Sequence, residues 1–199
     1  MKLKALVALG CSVLLFMTNA SSACSPRSIR PDRENNRPAF MLHSSNGQVM
    51  MKVIPGHFIR NQQGTLVETL KSRGETFRIA RNGRLDLLWS LPGVYPHSAF
   101  SNGDYYLADD GMHLVHINDA RSMDDKNAMV IYRQGKPMRR YAPKDFMPTF
   151  KMFTPTSCGT NLWLDLKTSV SLNGRDISFQ TIDGKKWYFD LLKQPRHAN

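Results

Sequence analysis

The sequence predicts an all-β protein, a single domain of antiparallel meanders that form a sandwich or a partial propeller-like sheet. Short apolar runs are separated by turn residues at roughly the 8–12-residue spacing of sandwiches, barrels and propellers. Asn-Gly or Asp-Gly pairs end several of these runs, and both residue types tolerate the positive φ of tight hairpins. Outside the N-terminal segment, no long stretch has the period of a helix.

Residues 1–23 have the pattern of a cleaved signal peptide. Two lysines precede the apolar run Ala5–Met17, and small residues follow as far as Ala23. The run is short for a membrane span of about 20 residues. We therefore expect cleavage between Ala23 and Cys24 and export to the periplasm or the exterior of a bacterial cell. Cleavage before Ser21 is an alternative, as is lipidation of Cys24, although Ser21 stands where a lipobox usually has leucine.

The mature chain is expected to contain two cysteines, because Cys11 leaves with the signal peptide. In an oxidising compartment an even pair predicts a disulfide, here Cys24–Cys158. The competing interpretation makes Cys158 a nucleophile served by His97, which would give a hydrolase.

A thiol titration separates these two interpretations. If the disulfide forms, the purified mature protein should contain no thiol that reacts without reductant. Ready alkylation of Cys158 under native conditions would contradict the disulfide and favour the nucleophile.

The chain is strongly basic, with a formal charge of +11. Residues 24–37 form a leader with arginines every three or four residues, but two prolines there and Pro38 directly after them disfavour a helix, so an extended segment is expected. Such a charge attracts anionic surfaces, and the partners expected are an anionic envelope surface or another envelope protein. Nucleic acid is not expected, since exported proteins seldom meet it.

Residues 38–192 are predicted to form the antiparallel β domain, and residues 193–199 a flexible tail. A turn is expected at Ser72–Gly74. Met112–Asn118 is apolar on both faces, which is typical of a central strand covered on both sides. Leu85, Leu87, Trp89 and Leu91 alternate with other residues and are expected to share one face.

Two segments of similar pattern suggest a repeated unit. Ser101–Ala108 and Leu172–Phe179 each contain Asn-Gly, a polar residue and a strand. With Lys185–Leu191, these strand-turn-strand units resemble blades of β-propeller repeat proteins. The stretch Phe100–Tyr141 is similar to uncharacterised exported bacterial β-rich proteins with a propeller-blade-like unit. The resemblance spans residues 85–192, lacks the Trp-Asp blade signature, and implies no activity.

Six residues are candidates for a functional surface. His113 and His116 would face opposite sides of a strand, so they cannot share a metal without a bulge; one is expected at the core edge and one in solvent. Asp119, Asp124 and Asp125 lie in one loop whose oxygens suit calcium, but a solvated acidic loop is the favoured interpretation. His97 follows a Pro-Gly turn segment and completes the set.

Other motifs favour structure over chemistry. Asp104, Asp109 and Asp110 form a possible carboxylate pair, although aspartates at turns usually stabilise the turn. The three tryptophans are expected in the core. No phosphate-binding loop, zinc motif or nucleophile elbow occurs, so no cofactor, metal or catalytic residue is predicted. The function expected is non-enzymatic binding or interaction in the cell envelope, with the hydrolase as the alternative.

Overall fold

The computed structural model describes residues 38–94, 104–118, 120–121, 124–147, 154–155, 161–165 and 167–197. Within these ranges the protein is all-β, a single domain of antiparallel sheets, as the sequence predicts. No described helix is long and apolar enough to cross a membrane.

The elements follow one another as short strands with one helical turn. In chain order they are β1 (Phe40–His43), β2 (Val49–Ile54), β3 (His57–Arg60), β4 (Leu66–Leu70), β5 (Arg73–Ile79), β6 (Leu85–Pro92), β7 (Asp104–Leu107), β8 (His113–Ile117), β9 (Ala120–Arg121), β10 (Met129–Arg133), β11 (Lys136–Tyr141), α1 (Pro143–Phe146), β12 (Thr154–Pro155), β13 (Asn161–Leu162), β14 (Ser171–Asn173), β15 (Asp176–Gln180), β16 (Lys186–Asp190) and β17 (Arg196–His197).

Three four-stranded sheets dominate the described structure. The first sheet has the order β1-β2-β5-β6, the central sheet β7-β8-β10-β11, and the last sheet β14-β15-β16-β17. The hairpin β3-β4 is inserted between β2 and β5, and β12-β13-β9 form a small separate sheet. Each large sheet is a meander in which strands close in sequence are neighbours, the arrangement found in propeller blades.

Strand β8 of the central sheet is buried on both faces. All five residues of β8 are buried, which confirms the predicted central strand. On one face Val115 and Ile117 join the hydrophobic core shared with the last sheet. On the other face Leu114 joins the core shared with the first sheet. The three sheets therefore stack in chain order, with the central one in the middle.

The helical turn α1 carries the centre of an aromatic cluster between the central and last sheets. Pro143 suits the first position of a helix, and the Asp145 carboxylate accepts a hydrogen bond from the Ala142 N–H at 2.8 Å. This turn places the fully buried Phe146 ring 5.5 Å from that of Trp163 in a stacked arrangement. The rings of Phe179 and Trp187 meet it edge-on at 5.1 and 5.2 Å.

A β-bulge corrects the predicted face of β6. Thr76 pairs with Trp89 but Phe77 pairs with Leu87, so Leu88 is an extra residue in β6. Trp89 and Leu91 therefore point into the core, whereas Leu85 and Leu87 lie on the opposite, outer face. The prediction that all four share one face is wrong because a bulge reverses the alternation.

Two boundaries also differ from the prediction. Ser72–Gly74 is not a hairpin turn, because β5 begins at Arg73 and pairs with both β2 and β6, while β4 returns on β3. The tail predicted to be flexible contributes β17, whose Arg196 pairs with Tyr188 at the edge of the last sheet.

The β10-β11 turn sets the contact between the central and first sheets. Gln134 and Gly135 have φ values of 49° and 76°, and a Cβ on Gly135 would collide with the carbonyl oxygen of Ser90 in β6. This close approach requires glycine for space as well as for conformation.

Gly135→Ala is expected to lower the free energy of unfolding by about 2 kcal/mol or more, because the backbone clash adds to the cost of the left-handed conformation. Urea denaturation measures the loss. Gly47→Ala is the matched control, since Gly47 also has positive φ (69°) but has open space around it. Equal losses in the two variants would show that the clash is relieved without cost.

Candidate functional site

Several of the predicted site residues lie outside the part of the chain that the structure describes. These are Ala23, Cys24, His97, Asp119 and Cys158. The signal cleavage, the disulfide and the Cys158–His97 alternative therefore remain predictions.

Asp110 and His113 form a close pair in the β7-β8 turn. The Asp110 carboxylate lies 2.6 Å from His113 Nδ1 and also accepts hydrogen bonds from the backbone N–H groups of Met112 and His113. Partial burial raises the pKa of Asp110, but these hydrogen bonds, that from His113 foremost, outweigh burial and leave the pKa below its usual 3.8. The pair stabilises the turn that leads into β8.

The lowered pKa of Asp110 implies that the stability of the protein depends on pH. Its carboxylate contributes stability above the unfolded-state pKa, near 4, and loses it as pH falls through the lower folded-state value. Asp110→Asn should cost about 1–2 kcal/mol at pH 7 and flatten the acid side of the stability curve. Asp86→Asn, at an exposed pair with Arg84, is the control. The prediction would be contradicted if the free energy of unfolding of the wild type and of Asp110→Asn fell equally steeply as the pH is lowered.

His116 lies on the other face of β8. Its ring stacks on Tyr105 with centroids 4.5 Å apart, and the residue is only 8% exposed. His113 is also buried, so the expected solvent position for one of the two histidines is wrong. Because β8 pairs without a register shift, the rings point to opposite sides and cannot share a ligand.

Three further predicted aspartates have partners within the fold. Asp124 forms an ion pair with Lys144 at 2.5 Å, and Asp125 accepts a hydrogen bond from the Asn127 N–H at 2.9 Å. Asp104 lies 3.4 Å from the Tyr106 hydroxyl. Among the described residues, no group of three or more His, Cys, Asp or Glu side chains is placed to hold a metal ion.

Asp109 joins the three large sheets. It accepts hydrogen bonds from the Asn46 N–H at 2.9 Å and the Ser45 hydroxyl at 2.7 Å, both in the β1-β2 turn. It also accepts one from the Gly174 N–H, in the β14-β15 turn, at 3.0 Å. Desolvation raises the pKa of Asp109, but these hydrogen bonds outweigh it and lower the pKa below its usual value. The residue connects the first turns of all three sheets.

The three tryptophans belong to the core and do not line a groove together. Trp163 is fully buried, and Trp89 and Trp187 are 8% and 6% exposed. The indole N–H groups of Trp89 and Trp163 donate to the carbonyl oxygens of Gly111 and Asn118. Their polar edges are thus used within the fold.

The outer face of the first sheet is an apolar surface that the sequence did not reveal. We call it the first-sheet patch, and it comprises Phe77, Ile79, Leu85 and Leu87. Leu85 and Leu87 are 47% and 60% exposed. Leu87 pairs with Phe77 and Leu85 with Ile79, so these four side chains form two adjacent rows on β5 and β6. The bulge at Leu88 creates the patch by turning the leucines outward.

The outer face of the last sheet carries a groove of about 630 Å³ that combines apolar surface with polar side chains. We call it the last-sheet groove. Its accessible lining consists of Lys167, Thr168, Ser169, Ser178, Gln180, Lys186 and Tyr188. These residues come from β15, β16 and the loop before β14, so no short motif indicated the groove.

No protein-family model matches the chain, and no curated protein is significantly similar to it.

Proposed function

We propose that the protein is an exported, non-enzymatic interaction module of the bacterial cell envelope that binds another envelope protein through the first-sheet patch. The observation that carries this proposal is the exposure of Leu85 and Leu87 beside Phe77 and Ile79 on one sheet face. Contiguous exposed apolar surface on a folded protein commonly marks a site of protein association.

The pattern of residues on the outer face of the first sheet supports the proposal. An antiparallel sheet with one solvated face normally alternates apolar residues inward and polar residues outward. The first sheet follows this rule in part of its outer face, where Lys52 and Glu75 are neighbours. Nearer the β5-β6 turn, the side chains on the outer face are apolar: Phe77 and Ile79 on β5, and Leu85 and Leu87 on β6. Apolar positions bordered by charged ones have the composition of an interface core with a polar rim.

Photocrosslinking in cells that natively express the full chain tests the proposal. A photoreactive residue in place of Leu87 should give a discrete adduct with another envelope protein. The matched control is the same residue in place of Lys136, an exposed position on β11 of the central sheet. No adduct at Leu87, the same adducts at both positions, or an adduct only with a second copy of this chain would overturn the proposal.

A double variant gives the second measurement. Leu85→Ser with Leu87→Ser should abolish the adduct formed from a photoreactive residue at Ile79, which pairs with Leu85. Stability should change by less than about 1 kcal/mol, because the two leucines are 47% and 60% exposed. Leu70→Ser, which removes an exposed leucine from the separate β3-β4 hairpin, should leave the adduct intact.

A further inference from the structure

The last-sheet groove has two walls and a floor. Ser178 and Gln180 on β15 form the floor, and Lys186 and Tyr188 on β16 form one wall. The loop Lys167–Ser169 forms the other wall, because its preceding residues run beside β15: Leu164 bridges Thr181, and the Asp165 N–H donates to Gln180 O at 2.9 Å. Two strand spacings separate the walls by roughly 10 Å, the width of a sugar ring with its substituents.

Asp165 holds the loop wall in place. Its carboxylate accepts from the Lys167 N–H at 3.0 Å and from the Gln180 side-chain amide at 3.2 Å. Its carbonyl oxygen accepts from the Thr168 N–H and hydroxyl at 3.1 and 3.0 Å. The loop and the floor are thereby fixed to each other before any ligand arrives, which lowers the entropy cost of binding.

Tyr188 supplies an exposed aromatic ring. The residue is 52% exposed, although its strand neighbours Trp187 and Phe189 are buried. The nearby Asp176 carboxylate raises the pKa of the Tyr188 hydroxyl. A tyrosine ring offers an apolar face to a ligand at little cost in side-chain entropy.

The charge of the groove is positive. Lys167 and Lys186 stand on opposite walls and both are exposed, and neither forms an ion pair with the described residues. No described carboxylate lines the groove, and that of Asp165 beside it accepts a hydrogen bond from the Gln180 side-chain amide. Two ammonium groups with hydroxyl and amide neighbours favour a ligand that has negative charge and hydroxyl groups together.

We propose that the last-sheet groove binds an acidic saccharide. The sugar ring packs on Tyr188, its hydroxyl groups exchange hydrogen bonds with Gln180 and Ser178, and its acidic group lies between Lys167 and Lys186. A groove of about 630 Å³ is within the usual range for small-ligand sites. This ligand site lies on a different sheet from the first-sheet patch and goes beyond the protein–protein role proposed above.

Calorimetric titration of the mature full chain with trigalacturonic acid tests the site. Lys167→Gln with Lys186→Gln should weaken binding at least about tenfold, as should Tyr188→Ala, whereas Tyr188→Phe should stay within about threefold because it keeps the ring. The control Lys136→Gln with Lys193→Gln removes the same charge from exposed positions outside the groove and should change affinity less than about twofold. Thermal denaturation checks that each variant is folded.

Specificity is measured with two further probes. Maltotriose, which is neutral, and inorganic sulfate, which has no sugar ring, should each bind at least about tenfold more weakly than trigalacturonic acid. Raising NaCl from about 50 to about 500 mM should weaken binding of the acidic probe. Amide NMR shifts should map to Lys167, Gln180 and Tyr188.

Absence of binding at low salt, equal losses in the groove and control lysine pairs, or sulfate binding as tight as the saccharide would overturn the inference. None of those results would change the crosslinking expected at Leu87. Loss of the crosslinks likewise leaves the saccharide titration untouched, so the two proposals fail separately.

Discussion

Phe146→Ala is expected to lower the free energy of unfolding by about 3–5 kcal/mol, one of the largest losses from a single side chain in this protein. Phe146 is fully buried, and its ring lies 5.1–5.5 Å from those of Trp163, Phe179 and Trp187. Removing it leaves a cavity between the central and last sheets that rigid aromatic neighbours cannot fill. Urea denaturation followed by tryptophan fluorescence measures the effect.

Phe146→Leu is the matched control, because it keeps most of the apolar volume and should cost about half as much or less. Trp89 lies in the other core, between the first and central sheets, and its surroundings should change little in the folded variant. A loss below about 1 kcal/mol for Phe146→Ala would show that α1 is not the packing centre of this core.

Asp109→Ala is expected to cost about 3 kcal/mol, although the residue is a partly exposed turn aspartate. Hydrogen bonds to a charged acceptor contribute more than neutral ones, and Asp109 accepts three from two other sheets. Because Asn46 and Gly174 belong to different sheets, the loss should be accompanied by faster hydrogen exchange in both of their turns.

Asp183→Ala distinguishes this effect from ordinary turn stabilisation. Asp183 accepts from the Thr181 hydroxyl at 2.6 Å and the Lys185 N–H at 3.4 Å, both within its own hairpin. Its removal should cost about 1 kcal/mol and affect exchange only in the last sheet. If the two alanine variants cost the same and neither disturbs a second sheet, Asp109 does not connect the sheets.

The sequence predicted those features that depend on local chemistry. Turns at Asn46-Gly47, Asn82-Gly83, Asn173-Gly174 and Asp183-Gly184 have glycine at positive φ, as the dipeptides indicate. The apolar run of β8 correctly indicated a strand covered on both sides. The bulge at Leu88 was missed because it depends on how β6 pairs with β5, and pairing has no local pattern.

The candidate surfaces were less predictable for a related reason. Leu85 and Leu87 were expected on the same face as Trp89 and Leu91. The bulge at Leu88 places them on the opposite, outer face. Lys167 and Lys186 lie in different parts of the sequence. They line one groove because the segment before β14 runs beside β15. Asp109 was expected to stabilise its own turn, but its carboxylate bonds instead to turns whose residues are 63 and 65 positions away in the sequence. Such contacts depend on the stacking of whole sheets.

The chain-order stacking of the sheets has a consequence for how the protein reaches its native state. Each large sheet is built from one continuous segment of the chain, so its strands can pair without the strands of the other two large sheets. A chain that emerges N-terminus first can complete the first sheet before the central sheet arrives to cover its inner face. The contact between Asp109 and Gly174 then forms late, after the last sheet has docked, and couples three locally assembled units into one cooperative structure.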